Sequence, residues 1–189
     1  ETSYQVNARD LLVLDEVANI PEHQARFLMG WVRSTDPTQR CRTLMCSNPP
    51  TEQEGDWLVR FFAPWLDPHY PNKAQPGELR WFGVLNGKDI EVPDKRKFYW
   101  NESTKAIDYD IPPDLKPTLV ITPQSRTYIP SKITDNPFLM DTGYMSTLQA
   151  LPEPLRSQML DGDFLAARQD NARQMIPSGW VQRAMDRWE

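Results

Sequence analysis

Cysteine and histidine are scarce in this chain, with two residues of each among 189. Cys41, Cys46, His23 and His69 are too few and too scattered to supply the ligand set of a structural zinc site. We therefore expect the two cysteines to be free thiols. Long apolar runs are also missing, because no stretch approaches the roughly 20 residues that a membrane helix needs. The sequence thus predicts no membrane partner.

Positive charge is in deficit as well, since the net charge is −5. A basic footprint over the whole surface, which is typical of nucleic-acid-binding domains, is therefore excluded. A local basic patch remains open at residues 95–97, although a solvated loop is the favoured interpretation there. Hydrophobic residues make up 39% and charged residues 25% of the chain, which indicates a globular fold.

Four aliphatic residues run directly into two acids near the start of the chain. Leu11 to Leu14 are followed by Asp15 and Glu16. The run predicts a strand over Asp10–Leu14 that is covered on both faces, and the acids would lie where parallel sheets bind ligands. In ATP-hydrolysing proteins this is the Walker B arrangement, in which the first acid helps to hold Mg²⁺ and the second polarises the attacking water. The alternative is a buried strand that ends in a polar turn.

The following segments predict a βαβ unit. Pro21 opens a helical pattern from Glu22 to Arg33. Cys41–Cys46 is predicted to be the next strand, and it ends in the polar and proline residues 47–50. Because the connection crosses from one strand to the next through a helix, the two strands are expected to be parallel neighbours.

The rest of the chain alternates between strand-like and helical patterns. Thr51 is predicted to cap a helix, with Glu54 in the capping-box position. Aromatic and aliphatic side chains at helical spacing then indicate a core face: Trp57, Leu58, Phe61 and Phe62. Strands are predicted at 79–84, 97–100, 119–122 and 127–130, the last of which would rejoin the main sheet. Helices are predicted at 142–150, at 153–160 with a stop at Gly162, and from Ser178 onward.

This ordered series of motifs resembles the large subunit of a tailed-bacteriophage DNA-packaging terminase. Leu11–Glu16 is similar to the Walker B strand of that family, and residues 47–50 are similar to its coupling motif. The most diagnostic stretch runs from Asp135-Asn136-Pro137 to Gly162-Asp163-Phe164. The resemblance spans nearly the whole chain.

The resemblance implies an α/β fold, with a partial parallel sheet of the additional-strand P-loop ATPase type, a β-rich insertion and a helical C-terminal subdomain. Four segments follow from it. Residues 1–63 would carry Walker B and the coupling motif, and residues 64–117 would form the proline-rich insertion. Residues 118–175 would return to the sheet and form the helical subdomain, and residues 176–189 would form a linker helix towards a nuclease domain.

The resemblance also implies roles for individual residues. Asp15 would position Mg²⁺ through water, and Glu16 would be the general base. Ser47 and Asn48 would sense the γ-phosphate and couple its loss to movement, whereas a simple turn is the alternative for them. Arg126 is a candidate nucleotide sensor, and a strand-edge arginine is an equally weighted alternative. No residue is assigned as the arginine finger.

The implied ligands and partners are those of a genome-packaging motor. They are ATP with Mg²⁺, double-stranded DNA, the portal protein, the small terminase subunit and sister large subunits in a ring on the procapsid. The parent protein would also be an endonuclease. Its expected location is the cytoplasm of the infected or lysogenic bacterial host.

Two parts of the family pattern are absent from these 189 residues. A Walker A loop needs Gly, four residues, and then Gly-Lys-Ser/Thr, but Gly87-Lys88 is followed by Asp89 and Gly83 lies one residue too close. The acidic cluster of the nuclease is also absent. We therefore expect a fragment that is inactive alone. Two other interpretations remain: a non-enzymatic prophage remnant or interaction module that binds portal or DNA, and another P-loop translocase or helicase.

Overall fold

The structure is a computed structural model that describes residues 8–140 and 142–166, together with positions 176, 180, 184, 187 and 188. The described chain is mixed α/β with small sheets, and it divides into two compact units. The discontinuous unit combines the residues up to Leu58 with those from Ser131 onward. The continuous unit is Val59–Pro130.

The discontinuous unit opens with the predicted βαβ arrangement. Strand β1 is Leu11–Leu14, helix α1 is Glu22–Met29 and strand β2 is Arg42–Met45. The two strands are parallel, in a register that pairs Leu11 with Arg42 and Leu14 with Met45. The prediction of neighbouring parallel strands is therefore confirmed.

Helix α1 ends at Met29, four residues before the predicted end at Arg33. The N–H of Gly30 closes the last turn onto the carbonyl of Arg26, and Val32 then forms an isolated parallel bridge with Arg9. A residue paired with an extended segment cannot continue a helix, so the longer prediction was wrong at its C-terminal end.

One face of the β1–β2 pair is exposed. Leu11, Val13 and Leu44 have 54%, 52% and 53% of their surface exposed, whereas Leu14 is buried on the opposite face. Alternate residues of a strand point to opposite faces, and Val13 pairs directly with Leu44. The prediction that this strand is covered on both faces is thus wrong for the described residues, because only one face of the pair has packing partners there.

The helix predicted from Thr51 is also corrected. A 3₁₀ turn at Gln53–Gly55 precedes α2 at Trp57–Phe61, and α3 follows at Ala63–Leu66. A methyl group built on Gly55 would lie 2.4 Å from the Pro50 Cβ and 2.8 Å from the Ala18 carbonyl oxygen. This close approach holds the chain in a tight turn where a regular helix was expected.

Trp57 and Leu58 are each 2% exposed, which confirms that they belong to the core. The indole Nε1–H of Trp57 donates to the carbonyl oxygen of Ile20 at 2.9 Å. The buried polar end of this aromatic side chain is thereby satisfied.

The C-terminal part of the discontinuous unit is helical but irregular. Helix α4 is Pro137–Met140, α5 is Tyr144–Gln149, and a single π-helical turn covers Ser157–Asp161. The helix predicted at 153–160 is present in irregular form, as two α-helical residues at 155–156 followed by the π turn, and the stop at Gly162 is confirmed by its left-handed φ of 69°. The helix predicted from Ser178 lies outside the described ranges. Within those ranges no helix combines the length and apolarity that a membrane span requires.

The continuous unit is rich in antiparallel strands. They are β3 (Arg80–Leu85), β4 (Lys88–Val92), β5 (Tyr99–Asn101), β6 (Ala106–Asp108) and β7 (Gln124–Arg126). One sheet has the order β4-β3-β7, and β5 and β6 form a separate hairpin. Asn86 and Gly87, with φ values of 51° and 76°, form the tight turn between β3 and β4.

Two strand predictions in this unit were wrong. The segment at 119–122 begins as a 3₁₀ turn at Pro117–Leu119 and contributes one bridge, from Ile121 to Phe98. The strand predicted at 127–130 is replaced by β7, which joins the antiparallel sheet beside β3 and does not return to the parallel pair. Strand pairing of this kind depends on partners distant in sequence, which local patterns do not reveal.

Candidate functional site

The turn after β1 presents two carboxylates. Asp15 and Glu16 are both exposed, and the Asp15 Oδ1 atom accepts a hydrogen bond from the Glu16 N–H at 3.1 Å. Glu16 has φ 49° and ψ 45°, a left-handed conformation that costs an ordinary L-residue about 1–2 kcal/mol. Backbone strain of this kind persists where the surrounding structure enforces it, and it is concentrated at functional sites.

The end of β2 is hydrogen-bonded to the same turn. The Cys46 N–H donates to the Leu14 carbonyl at 2.8 Å, and the Val17 N–H donates to the Cys46 carbonyl at 3.1 Å. The Ser47 hydroxyl oxygen then accepts the Ala18 N–H at 3.2 Å. The fold therefore brings Ser47 to the edge of the sheet that carries the two acids.

Asn48 is the next residue along this loop and is exposed. The two residues that follow it, Pro49 and Pro50, are buried. The predicted coupling segment thus begins with two polar side chains and ends in a buried anchor. This division fits a loop whose tip reaches outward from a fixed base.

Two residues that sequence reasoning missed support this loop. Gly55 packs against both Pro50 and Ala18, where no larger residue fits. Gln158, which is 2% exposed, donates from Nε2 to the Pro50 carbonyl oxygen at 2.7 Å. The sequence predicted a helix through Gly55, and no local pattern distinguishes Gln158 from a surface residue.

The structure places Arg126 in the continuous unit. Its guanidinium forms a two-point ion pair with Asp89, at 2.8 and 3.2 Å, and donates to the Phe61 carbonyl at 3.0 Å. The guanidinium carbon also lies 3.6 Å from the ring centre of Phe61 and 4.4 Å from that of Phe82. These contacts favour the strand-edge alternative, and the nucleotide-sensor role stays a prediction.

A second polar cluster lines a groove of about 390 Å³ in the continuous unit, beside Trp81. The Tyr70 hydroxyl donates to Glu91 Oε2 at 2.5 Å, and Arg80 donates to Glu91 Oε1 at 2.9 Å. Burial, and then the bond to Glu91, raise the pKa of Tyr70 to about 12. Arg80 Nε also lies 2.8 Å from Glu78 Oε1, without the alignment of a hydrogen bond. Arg80 is thus the shared cation of two carboxylates, those of Glu91 and Glu78.

The acids after β1 fit a hydrated Mg²⁺ better than a directly ligated metal. In the described part of the chain no three His, Cys, Asp or Glu residues gather into a metal-binding group. Mg²⁺ usually keeps several waters and takes only one or two carboxylates together with substrate phosphates. The exposed Asp15 carboxylate has the chemistry for such water-mediated contact.

The chain matches no protein-family model, no curated protein and no solved structure.

Proposed function

We propose that this chain is the Walker B and coupling part of an ATP-driven motor that packages double-stranded DNA, of the terminase large-subunit type. The observation that carries the proposal is the bond between Ser47 and Ala18. It joins the tip of one parallel strand to the turn that presents Asp15 and Glu16 at the end of its neighbour. Parallel α/β sheets bind their ligands at this edge.

In this proposal the residues have three roles, which are metal positioning, general-base catalysis and sensing of the γ-phosphate. Glu16 orients and polarises the water that attacks the γ-phosphate, and Asp15 holds the water shell of the metal. Mg²⁺, when bound with ATP, supplies neutralisation of the phosphate charge. Ser47 and Asn48 respond to the loss of the γ-phosphate, because the start of their loop is hydrogen-bonded to the residues directly after Glu16. The fold of the intact protein would be the additional-strand P-loop type.

The remaining parts of the proposal come from the resemblance alone. A Walker A loop in flanking sequence would grip the phosphates, and a nuclease domain would cut the DNA. The motor would work as a ring on the portal of the procapsid, with the small terminase subunit, in the cytoplasm of the bacterial host. Residues 1–189 contain no Walker A loop to bind the phosphates, so this segment alone would hydrolyse no ATP.

The first test is the sequence of the same reading frame on both sides of residues 1–189. The motor proposal expects a Walker A loop upstream and an acidic nuclease cluster downstream. A start codon directly before Glu1 together with a stop codon directly after Glu189 would contradict the motor proposal. The interaction-module interpretation, with Asp15 and Glu16 as idle acids, would then take its place.

The second test is catalytic and uses the protein that the whole reading frame encodes. Glu16→Gln is expected to lower ATP turnover by at least about 100-fold with ATP binding retained, because only the base is removed. Glu52→Gln is the matched control, since it changes another exposed glutamate of the same unit. Equal turnover in the two variants would contradict the assignment of Glu16.

A further inference from the structure

Gln158 stands out among the described residues because it is the one polar residue that is almost fully buried. A buried amide is costly unless its hydrogen bonds are made. Its Nε2 group makes a bond of 2.7 Å to the carbonyl oxygen of Pro50, 108 residues away in sequence. This side chain is therefore held at a defined point of the coupling loop.

The chemistry of the loop explains why a distant donor is needed. Pro49 and Pro50 have no backbone N–H, so this stretch offers few local donors. The Pro50 carbonyl lies in a buried segment, where an unpaired acceptor would be destabilising. Gln158 supplies the missing donor from the π-helical turn Ser157–Asp161. Turns of this type are rare and often occur at functional sites.

The loop is fixed at both ends by contacts of different kinds. At its start the Ser47 hydroxyl accepts the Ala18 N–H. At its end Pro50 is held by Gln158 and packs against Gly55, which in turn lies against Ala18. The contacts thus form a closed circuit through Ala18, which lies two residues after Glu16.

We propose that Gln158 is a positioning residue that fixes the loop carrying Ser47 and Asn48 relative to the turn of Asp15 and Glu16. The functional role of Gln158 rests on the proposed function, in which this loop senses the nucleotide. Gln158 would then link the loop to the π-helical turn Ser157–Asp161. The circuit of contacts does not depend on that function. Gln158 acts through the Pro50 carbonyl, which its side chain contacts directly.

Amide hydrogen exchange of the 189-residue chain, followed by NMR, tests this proposal without ATP. In Gln158→Met the donor is lost while size and neutrality are kept. The Ala18 amide is then expected to exchange about fivefold to tenfold faster, because the loss of one hydrogen bond loosens Ser47. The amides of Ala25 in α1 and of Phe98 in the continuous unit should keep their rates. Gln149→Met, an exposed position on α5, is the matched control.

A unit-wide acceleration that includes Ala25 would overturn the proposal in favour of a general packing role. An unchanged Ala18 amide would overturn it as well. If Gln158→Met does not fold, Gln158→Glu decides, because a protonated carboxyl can donate and an ionised one cannot. The Ala18 amide should then lose its protection from exchange as pH rises and the carboxyl of the Gln158→Glu variant ionises. The Ala25 amide should keep its protection. Loss of protection at both amides would overturn the proposal. The failure of the motor proposal would leave each of these results unchanged.

Discussion

The hydroxyl oxygen of Ser47 accepts the backbone N–H of Ala18 at 3.2 Å, and this bond joins the end of β2 to the turn after β1. Ser47→Ala is expected to lower the free energy of unfolding by about 1 kcal/mol, because the Ala18 N–H loses its partner in a partly buried position. Urea unfolding measures the change. Ser146→Ala on α5, where serine is exposed, should alter stability by less than about 0.5 kcal/mol. Equal effects of the two substitutions would show that the bond contributes nothing.

Glu16 occupies a left-handed backbone conformation, which only glycine adopts without steric cost. Glu16→Gly is therefore expected to raise the free energy of unfolding by about 0.5–1 kcal/mol while removing the candidate base. Thermal unfolding measures the gain. If Glu16→Gly also abolishes ATP turnover in the protein that the whole reading frame encodes, the strained conformation is retained because catalysis needs the glutamate.

The control for that substitution is Gln24→Gly, within helix α1. Glycine there should lower stability by about 1 kcal/mol, because it has a poor helix propensity. Destabilisation of similar size at both positions would contradict the strain argument.

Arg126 and Asp89 form a two-point ion pair whose side chains are only 11% and 16% exposed. Arg126→Met is expected to lower the free energy of unfolding by about 3 kcal/mol or more, because it removes the guanidinium from an ion pair that is largely buried. Arg126→Lys should recover only part of this loss, since an ammonium group lacks the planar fork of a guanidinium. Equilibrium unfolding monitored by tryptophan fluorescence measures all three proteins.

The comparison pair for Arg126 lies on the surface. Arg96 and Asp94 also form an ion pair, but their side chains are 64% and 42% exposed. Arg96→Met should cost much less stability than Arg126→Met, because exposed pairs are well solvated. The buried pair would have no special role if the two Arg→Met substitutions gave equal losses.

Tyr70 gives the continuous unit a pH dependence in alkaline solution. Burial and the bond to Glu91 raise its pKa from 10.0 to about 12, so the folded state keeps the hydroxyl proton when the unfolded chain has lost it. This contribution to stability is complete below pH 10 and is lost as pH rises towards 12. The stability difference between the native chain and Tyr70→Phe should therefore narrow over that interval, as measured by urea unfolding at several pH values.

Glu91→Gln separates the causes of that shift. It removes the anionic acceptor of the Tyr70 hydroxyl but leaves an amide of nearly the same size. The pKa of Tyr70, followed by its ultraviolet difference absorbance, should then fall towards its ordinary value. A pKa that stays near 12 would assign the whole shift to burial.

The local signals in the sequence were sufficient for the parallel pair. An aliphatic run, a proline at the start of a helix and a second short strand predicted β1, α1 and β2, and these elements formed in the expected order. The predicted neighbours Glu16 and Ser47 also came to one edge, because parallel strands end on the same side. Each of these features depends on residues that are close along the chain.

Features set by distant partners could not be predicted in this way. The bond from Gln158 to Pro50 spans 108 residues, and the pair of Arg126 with Asp89 spans 37. The exposed face of β1 has a similar origin, because the apolar pattern reports what a strand can bury and not what covers it. The prediction of a helix from Thr51 was wrong because Gly55 lies in close contact with Pro50 and Ala18.

The division of the chain has a consequence for the order in which the protein is made. The continuous unit, Val59–Pro130, is synthesised completely before any residue from Ser131 onward is added. The β1–β2 segment is made earlier still, whereas helices α4 and α5 of the same unit are made after the continuous unit. The nascent chain therefore carries an unfinished discontinuous unit while the β-rich unit folds, and the Gln158–Pro50 bond closes only after the π-helical turn has been synthesised.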